Sequence, residues 1–165
     1  MVRYRRSRVP DGTFFFTVNL RDRRGDALVR HVDLLREAWR AAKVRVPHDI
    51  VAAVVLPDHM HAVIAMRDGA GDYSRLWQGI KSGFTRRVCP LGRSPWQARF
   101  WEHCIRDGDD LQAHVDYVHV NPLKHGLVAR VSDWPHSTFH RYVAKGWLPP
   151  DWAGTLGRSG AHGKR

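Results

Sequence analysis

Cysteine is nearly missing from this chain. There are two, Cys89 and Cys104, among 165 residues. Two thiols make neither a disulfide framework nor a four-cysteine zinc site, and their scarcity fits a reducing, cytoplasmic setting. Long hydrophobic runs are missing as well. No stretch approaches the ~20 apolar residues of a membrane span. The run behind the charged N-terminus, "TFFFTVNL", is too short and too polar for a secretory signal. There is no internal repeat and no Walker loop, so nothing points to a nucleotide cofactor. Acidic residues are few against basic ones, 16 Asp and Glu to 27 Lys and Arg, for a net charge of +11. A small chain this basic is suited to a polyanion. Anionic lipid is the rival partner. The arginines run from Arg3 to Arg165 instead of gathering on one amphipathic helix, which favours nucleic acid over a membrane.

What is present reads as one domain with a core of its own. "RYRRSR" is a basic arm, and "PDG" turns the chain into a strand, "TFFFTVNL", with Phe14, Phe16, Val18 and Leu20 on one side. "HVDLLREAWRAAKV" has the spacing of an amphipathic helix. "DIVAAVVL" and "HMHAVIAM" read as two strands joined by a tight turn at "PD". A second helix starts near Asp72 or Ser74 and carries Leu76, Trp77, Ile80 and Phe84. "ARFWEHCI" is a strand. "GDDLQAHVDYVHVN" is a third helix, with Asp109 as N-cap and an end at Asn121 enforced by Pro122. "PHSTFHRYV" is a short helix, the chain from "GWLPPDWAG" onward reads as loosely ordered, and "GRSGAHGKR" as disordered.

The first six elements, strand, helix, strand, strand, helix, strand, match the split βαβ pattern. The expected fold is therefore α+β: a ferredoxin-like antiparallel sheet with helices on one face, the other face free to work, and a short C-terminal helical extension. The expected boundaries are a single domain over 1–154, its arm at 1–12, and a tail at 155–165.

Two places carry candidate chemistry. In "VVLPDHMHAVI", strand alternation turns His59 and His61 to one side and Met60 and Ala62 to the other. Imidazoles at this spacing can chelate a divalent ion. With 11 histidines in 165 positions, chance alone supplies about 0.7 such pairs, so hydrogen-bonded histidines are an equal reading of the bare pair. In the third helix, Leu111, Val115 and Val118 form a core stripe, and Asp110, His114, Tyr117 and Asn121 form a second stripe beside it. Tyr117 and Asn121 read either as a core-edge tyrosine with a helix-ending asparagine, or as a nucleophile and a third metal ligand. The second reading has chemical logic: neutral phenol is a poor nucleophile, and an ion that polarises a phosphate lowers the demand on it.

Four separated blocks, "RYRR…PDGTFFFTVNLRDR", "VVLPDHMHAVI", "FWEHCIRDGDDLQAHVDYVHVNPLKHGLV" and "DWPHSTFHRYV", together resemble the REP-associated tyrosine transposases. These are a bacterial branch of the single-tyrosine HUH transposases, named for histidine, hydrophobic, histidine. The resemblance covers roughly residues 1–154. It implies that His59 and His61 are metal ligands, with Met60 between them, that Tyr117 is the nucleophile, and that Asn121 is the third ligand. It implies Mg²⁺ or Mn²⁺ as cofactor and the ferredoxin-like fold. It also implies cleavage of single-stranded DNA beside hairpin repeats, leaving a 5′-phosphotyrosine and a free 3′-OH. A monomer in the bacterial cytoplasm, associated with the nucleoid, is the expectation.

Other residues have weaker claims. His114 can assist proton transfer or be a hydrogen-bonded histidine. His136 and His140 have helical spacing but no third ligand near in sequence. His119 reads as structural or DNA-facing, His103 and Cys104 as core or edge residues, and Asp58 as a turn residue. For DNA, Arg3, Arg5, Arg6 and Arg8 form an arm suited to phosphates. Lys81, Arg86 and Arg87 line the second helix, and Lys124 and His125 follow the third, toward a scissile phosphate. Trp96, Phe100 and Trp101 can stack on bases or pack in the core. The rival function is a non-catalytic module, an RRM-like sheet that grips structured DNA or RNA. A zinc hydrolase lacks a glutamate base near the histidines.

Overall fold

The computed structural model describes residues 9–69 and 72–154. The arm arginines Arg3, Arg5, Arg6 and Arg8 and the tail at 155–165 lie outside the described residues. The elements in chain order are β1 (Thr13–Asn19), α1 (Ala27–Arg30), α2 (Val32–Arg45), β2 (His48–Val55), β3 (His59–Met66), α3 (Tyr73–Val88), β4 (Trp101–Cys104), α4 (Gly108–Lys124) and, after a 3₁₀ turn at Val131–Asp133, α5 (Phe139–Ala144). The four strands form one antiparallel sheet in the order β2-β3-β1-β4, the ferredoxin-like arrangement.

Alternation along β1 and β3 divides the sheet into two faces. Phe14, Phe16 and Val18 of β1 and Met60, Ala62 and Ile64 of β3 pack beneath α2 and α3, against Leu35, Trp39, Leu76, Trp77, Ile80 and Phe84. Each large side chain buried there contributes about 1.5–3 kcal/mol relative to exposure. The two helices approach closely at Gly83, where a Cβ would stand 3.1 Å from the Ala38 side chain.

The second face is not open. Phe15, Val54, Leu56 and Val63 pack against Val115 and Val118 of α4, so this helix covers the face that the sequence left free. The physical reason is the α4 stripe of Leu111, Val115 and Val118, which needs an apolar partner and finds it there. A bulge in β2 between Ile50 and Ala52 changes the side-chain parity, sending Ala52 and Val54 to the α4 side. With both faces covered, every residue of β3 is buried.

Four local expectations change. The N-cap of α4 is Asp107, whose carboxylate accepts from the Asp110 amide; Asp109 already lies in the first turn. Pro122 does not end the helix, because a missing N–H near the C-terminus removes one bond and leaves the rest. The end is set by Gly126 at φ +68°. The Gly126 amide donates to Leu123 O and the Leu127 amide to Pro122 O, each at 3.0 Å, the pairing of a Schellman motif. β4 is also shorter than expected. Finally, the chain after α5 is tied down through Gly154: the Trp147 amide donates to Tyr142 O, and the Trp152 ring lies 6.0 Å from Phe139. Among the described residues no helix is long and apolar enough to cross a membrane.

His119 joins α4 to this C-terminal brace. It is fully buried, its Nε2 lies 2.9 Å from Thr138 Oγ1, and Tyr142 stands edge-on at 4.6 Å. Burial, then the charge of Arg141, pushes its pKa down to about 4. The unfolded chain thus binds a proton near pH 6.5 that the folded chain refuses until about pH 4. Stability contributed here is complete above pH 6.5 and is lost as pH falls through the folded value, by on the order of 3 kcal/mol. Urea unfolding between pH 7 and 4 checks this: the midpoint falls on acidification, and His119→Gln flattens the fall.

Candidate active site

Three strands and one helix meet at the candidate centre. β3 supplies His59 and His61, and the turn before it supplies Asp58. β1 lies alongside in a register that sets Thr17 opposite His61 and Asn19 opposite His59. β4 continues the same row with Trp101 opposite Thr17. Above them, α4 brings Tyr117 and, one turn later, Asn121.

Three of the sequence-chosen residues, His59, His61 and Tyr117, converge. The imidazoles of His59 and His61 are 4.9 Å apart between centroids, and the Tyr117 ring stands 5.2 Å from His61, edge to face. Phe15 supports the group from β1, stacked on His61 at 5.7 Å and edge-on to Tyr117 at 5.8 Å. Tyr117 is half-buried, whereas His59 and His61 are buried and Asn121 is fully so. Lys124 places its Nζ 4.8 Å from the centre of the Tyr117 ring, a fixed positive charge beside the phenol.

Each histidine is oriented by a neighbour. His59 Nδ1 donates to Asp58 Oδ1 at 2.7 Å, and Arg23 donates to the other carboxylate oxygen. Burial lifts the Asp58 carboxyl, yet the bonds from Arg23 and His59 hold it below its ordinary value. His61 Nδ1 lies 2.8 Å from Thr17 Oγ1. Burial lowers the pKa of His59, with Asp58 opposing. Burial first, then nearby His59, puts His61 well below the usual histidine value. Both rings are therefore neutral, the form that ligates a metal. With Nδ1 engaged, each ring keeps Nε2 for a ligand.

The donor set fits a divalent cation. His61 Nε2 and Asn121 Oδ1 are buried and have no hydrogen-bond partner among the described residues, a costly state for polar atoms. Asn121 spends its amide on Tyr117 O at 3.4 Å, which leaves Oδ1 as the acceptor. Two imidazole nitrogens and one carboxamide oxygen accept several first-row ions as well as Mg²⁺.

Other candidates fall elsewhere. Trp96 is a correction: it is 2% exposed, its Nε1 donates to Lys81 O, and its ring packs on Phe84, so it cannot stack on a base. Trp101 is 58% exposed, on the same face as His61. Lys81, Arg86 and Arg87 belong to α3, across the sheet from Tyr117; Lys81 donates to Gln97 O, and Arg87 meets Glu37. His114 is held by Asp110, its Nδ1 2.8 Å from the backbone oxygen. His140 Nε2 is bound at Trp134 O. Two participants escaped sequence reasoning. Thr17 is visible only once the register is known. Asp58 adjoins His59 and was readable, but as a turn residue. His125, read with Lys124 as following the third helix, lies 5.3 Å from His59 because α4 runs past Pro122.

The Thr17 contact is testable. Nitrogen NMR of His61 at neutral pH is expected to show one tautomer protonated at Nδ1, and Thr17→Val to mix the two tautomers.

Comparison with known proteins follows the same lines. No protein-family model matches the chain. It is 51% identical over 156 residues to a REP-associated tyrosine transposase of Escherichia coli, covering 94% of this chain and 93% of that one. A relative in Haemophilus influenzae assigned the same family name is 37% identical over 166 residues, covering 93% of this chain and 94% of the relative. A solved REP-associated tyrosine transposase bound to a REP hairpin superposes with a TM-score of 0.91 at 48% identity, over 100% of this chain and 99% of the other.

Proposed function

Because the chain belongs to the REP-associated tyrosine transposases, a family of DNA-processing enzymes, we propose that it is a metal-dependent single-strand DNA endonuclease and strand transferase acting at REP-like hairpins. The observation that carries this reading is the contact of Tyr117 with His61, 5.2 Å between ring centres. A nucleophile on a helix and a ligand pair on a strand come together although 56 positions of sequence separate them. A binding module has no use for that meeting.

His59 Nε2, His61 Nε2 and Asn121 Oδ1 would hold Mg²⁺ or Mn²⁺, and such an ion supplies Lewis-acid polarisation of the scissile phosphate. The hairpin is gripped by the basic surface, with Arg3, Arg5, Arg6 and Arg8 on the duplex phosphates. The adjoining single strand crosses the edge of the sheet, where exposed Trp101 stacks on an unpaired base. Tyr117 Oη attacks phosphorus in line. The new bond joins tyrosine to the 5′-phosphate, the P–O3′ bond breaks, and the 3′-oxygen leaves and takes a proton from water. The phenolic proton of Tyr117 passes to solvent water, and Lys124, beside the ring, steadies the phenolate. His114, held through Nδ1 at the Asp110 backbone oxygen, can assist that transfer. A 3′-OH from the same or another strand can reverse the step, so joining needs no ATP. The ligands and the nucleophile all come from one chain, which supports a working monomer.

The experiment uses end-labelled single-stranded DNA carrying the hairpin repeats that flank the protein's own gene. Cleavage is expected only with Mg²⁺ or Mn²⁺. Tyr117→Phe should bind the hairpin within about twofold of the parent and cut at least ~10³-fold more slowly. His61→Ala should lose metal-dependent cutting. Cleavage by Tyr117→Phe at the same position removes the nucleophile assignment, and tight binding without cutting under any metal moves the function to a binding module.

A further inference from the structure

A second cluster of metal-ligating side chains lies apart from the first. His103 is the third residue of β4, opposite Phe15 of β1. Asp110 and His114 stand one turn apart on α4. His103 Nε2 is 2.8 Å from Asp110 Oδ2, and His114 Nδ1 is 3.1 Å from Asp110 Oδ1. The two imidazoles stack at 4.6 Å with their planes 15° apart. One nitrogen of each ring and one carboxylate oxygen fall within 4.8 Å of one another, and among the described residues no other three His, Cys, Asp or Glu side chains gather in this way.

We propose that His103, Asp110 and His114 form a second metal centre, separate from His59, His61 and Asn121, that takes a zinc-class divalent ion. Two imidazoles and a carboxylate are ligands of that class. Ligand atoms around a tetrahedral ion at ~2.0–2.1 Å lie about 3.3 Å apart; each imidazole nitrogen already stands near that distance from one oxygen of the Asp110 carboxylate, 2.8 Å to Oδ2 and 3.1 Å to Oδ1, and an ion is admitted when the two stacked rings splay so that both lone pairs meet it and His114 turns from the Asp110 backbone oxygen. The side chains of Asp110 and His114 are 8% and 6% exposed and that of His103 is 21%, which shields the ion while leaving a side open for a water as fourth ligand. Burial raises the Asp110 carboxyl, but the bonds from His103 and the Arg106 amide bring it to about 2, so it is anionic at neutral pH. His103 bonds the carboxylate directly, while His114 Nδ1 is bonded to the Asp110 backbone oxygen at 2.8 Å and stands 3.1 Å from Oδ1.

The centre ties the short edge strand β4 to the first turns of α4. Phe15, paired with His103, touches His114 at 4.9 Å, His61 at 5.7 Å and Tyr117 at 5.8 Å. An ion here fixes how α4 lies over the sheet, and through Phe15 the place of the tyrosine. It does not depend on the nuclease reading.

The test counts ions on the full chain, stripped with a chelator and titrated with Zn²⁺ against a chromophoric competitor. The parent is expected to hold two equivalents. A protein carrying His59→Ala and His61→Ala should keep one, and should show the strong visible absorption of four-coordinate Co²⁺ when Co²⁺ replaces Zn²⁺. Adding His103→Gln, which keeps a donor for Asp110 and so preserves a staple, should abolish that equivalent and the Co²⁺ band. It should also abolish any Zn²⁺-induced rise in melting temperature. If the His59→Ala, His61→Ala protein takes up no Zn²⁺, or takes it up equally after His103→Gln, the cluster is a hydrogen-bonded staple and the proposal falls. Neither result depends on whether the parent cuts DNA.

Discussion

Slipping β1 by one residue against β3 would turn every side chain of the strand to the wrong face. The observed register pairs Thr17 with His61 and Asn19 with His59, and the rest of the molecule depends on it. On one side it stacks Phe14, Phe16 and Val18 with Met60, Ala62 and Ile64 under two helices. On the other it sets a polar row, Thr17 and Asn19 beside His61 and His59, next to the apolar Phe15 and Val63. The apolar part of that second face holds α4, and the polar part is the proposed site of the chemistry. Moving the register would lose core and site together, so the two are specified by the same pairing.

The helix that carries Tyr117, the proposed nucleophile, is fixed at several points along its length. Val115 and Val118 seat its middle on the sheet. Asp110 engages His103 near its start, and Gly126 closes its end in a left-handed turn. His119 locks it to the C-terminal brace of Thr138, Tyr142 and Trp152. Tyr117 lies between these anchors, half-buried against His61. A phenol held this way pays little further entropy to line up with a phosphate.

Much of this was legible because it depends on short-range periodicity. The parity of His59 and His61 follows from strand alternation, and the alignment of Tyr117 with Asn121 from helical spacing. The six-element order was enough for the ferredoxin-like sheet. What escaped depends on partners distant in sequence. Nothing near Thr17 shows that it faces His61, 44 positions on. Trp96 and Trp101 occur in one aromatic stretch, yet one is sealed by Phe84 and the other stands open at the sheet edge. The stripe of α4 showed an apolar side but not which surface it would cover, hence the expectation of an open face. Pro122 was overweighted as a stop; the signal lay four residues further, at Gly126. His103 joins Asp110 and His114 only because the turn after β4 folds the helix back over its own strand.

The central claim is that Tyr117 is the residue that takes the DNA end. The most direct measurement is to trap the covalent product with hairpin DNA, digest it with nuclease and trypsin, and locate the remaining nucleotide by mass spectrometry. The account predicts a phosphodiester on Tyr117, within the tryptic peptide spanning residues 107–124. A nucleotide attached to any other residue, or a cleaved strand with no protein adduct, would contradict it.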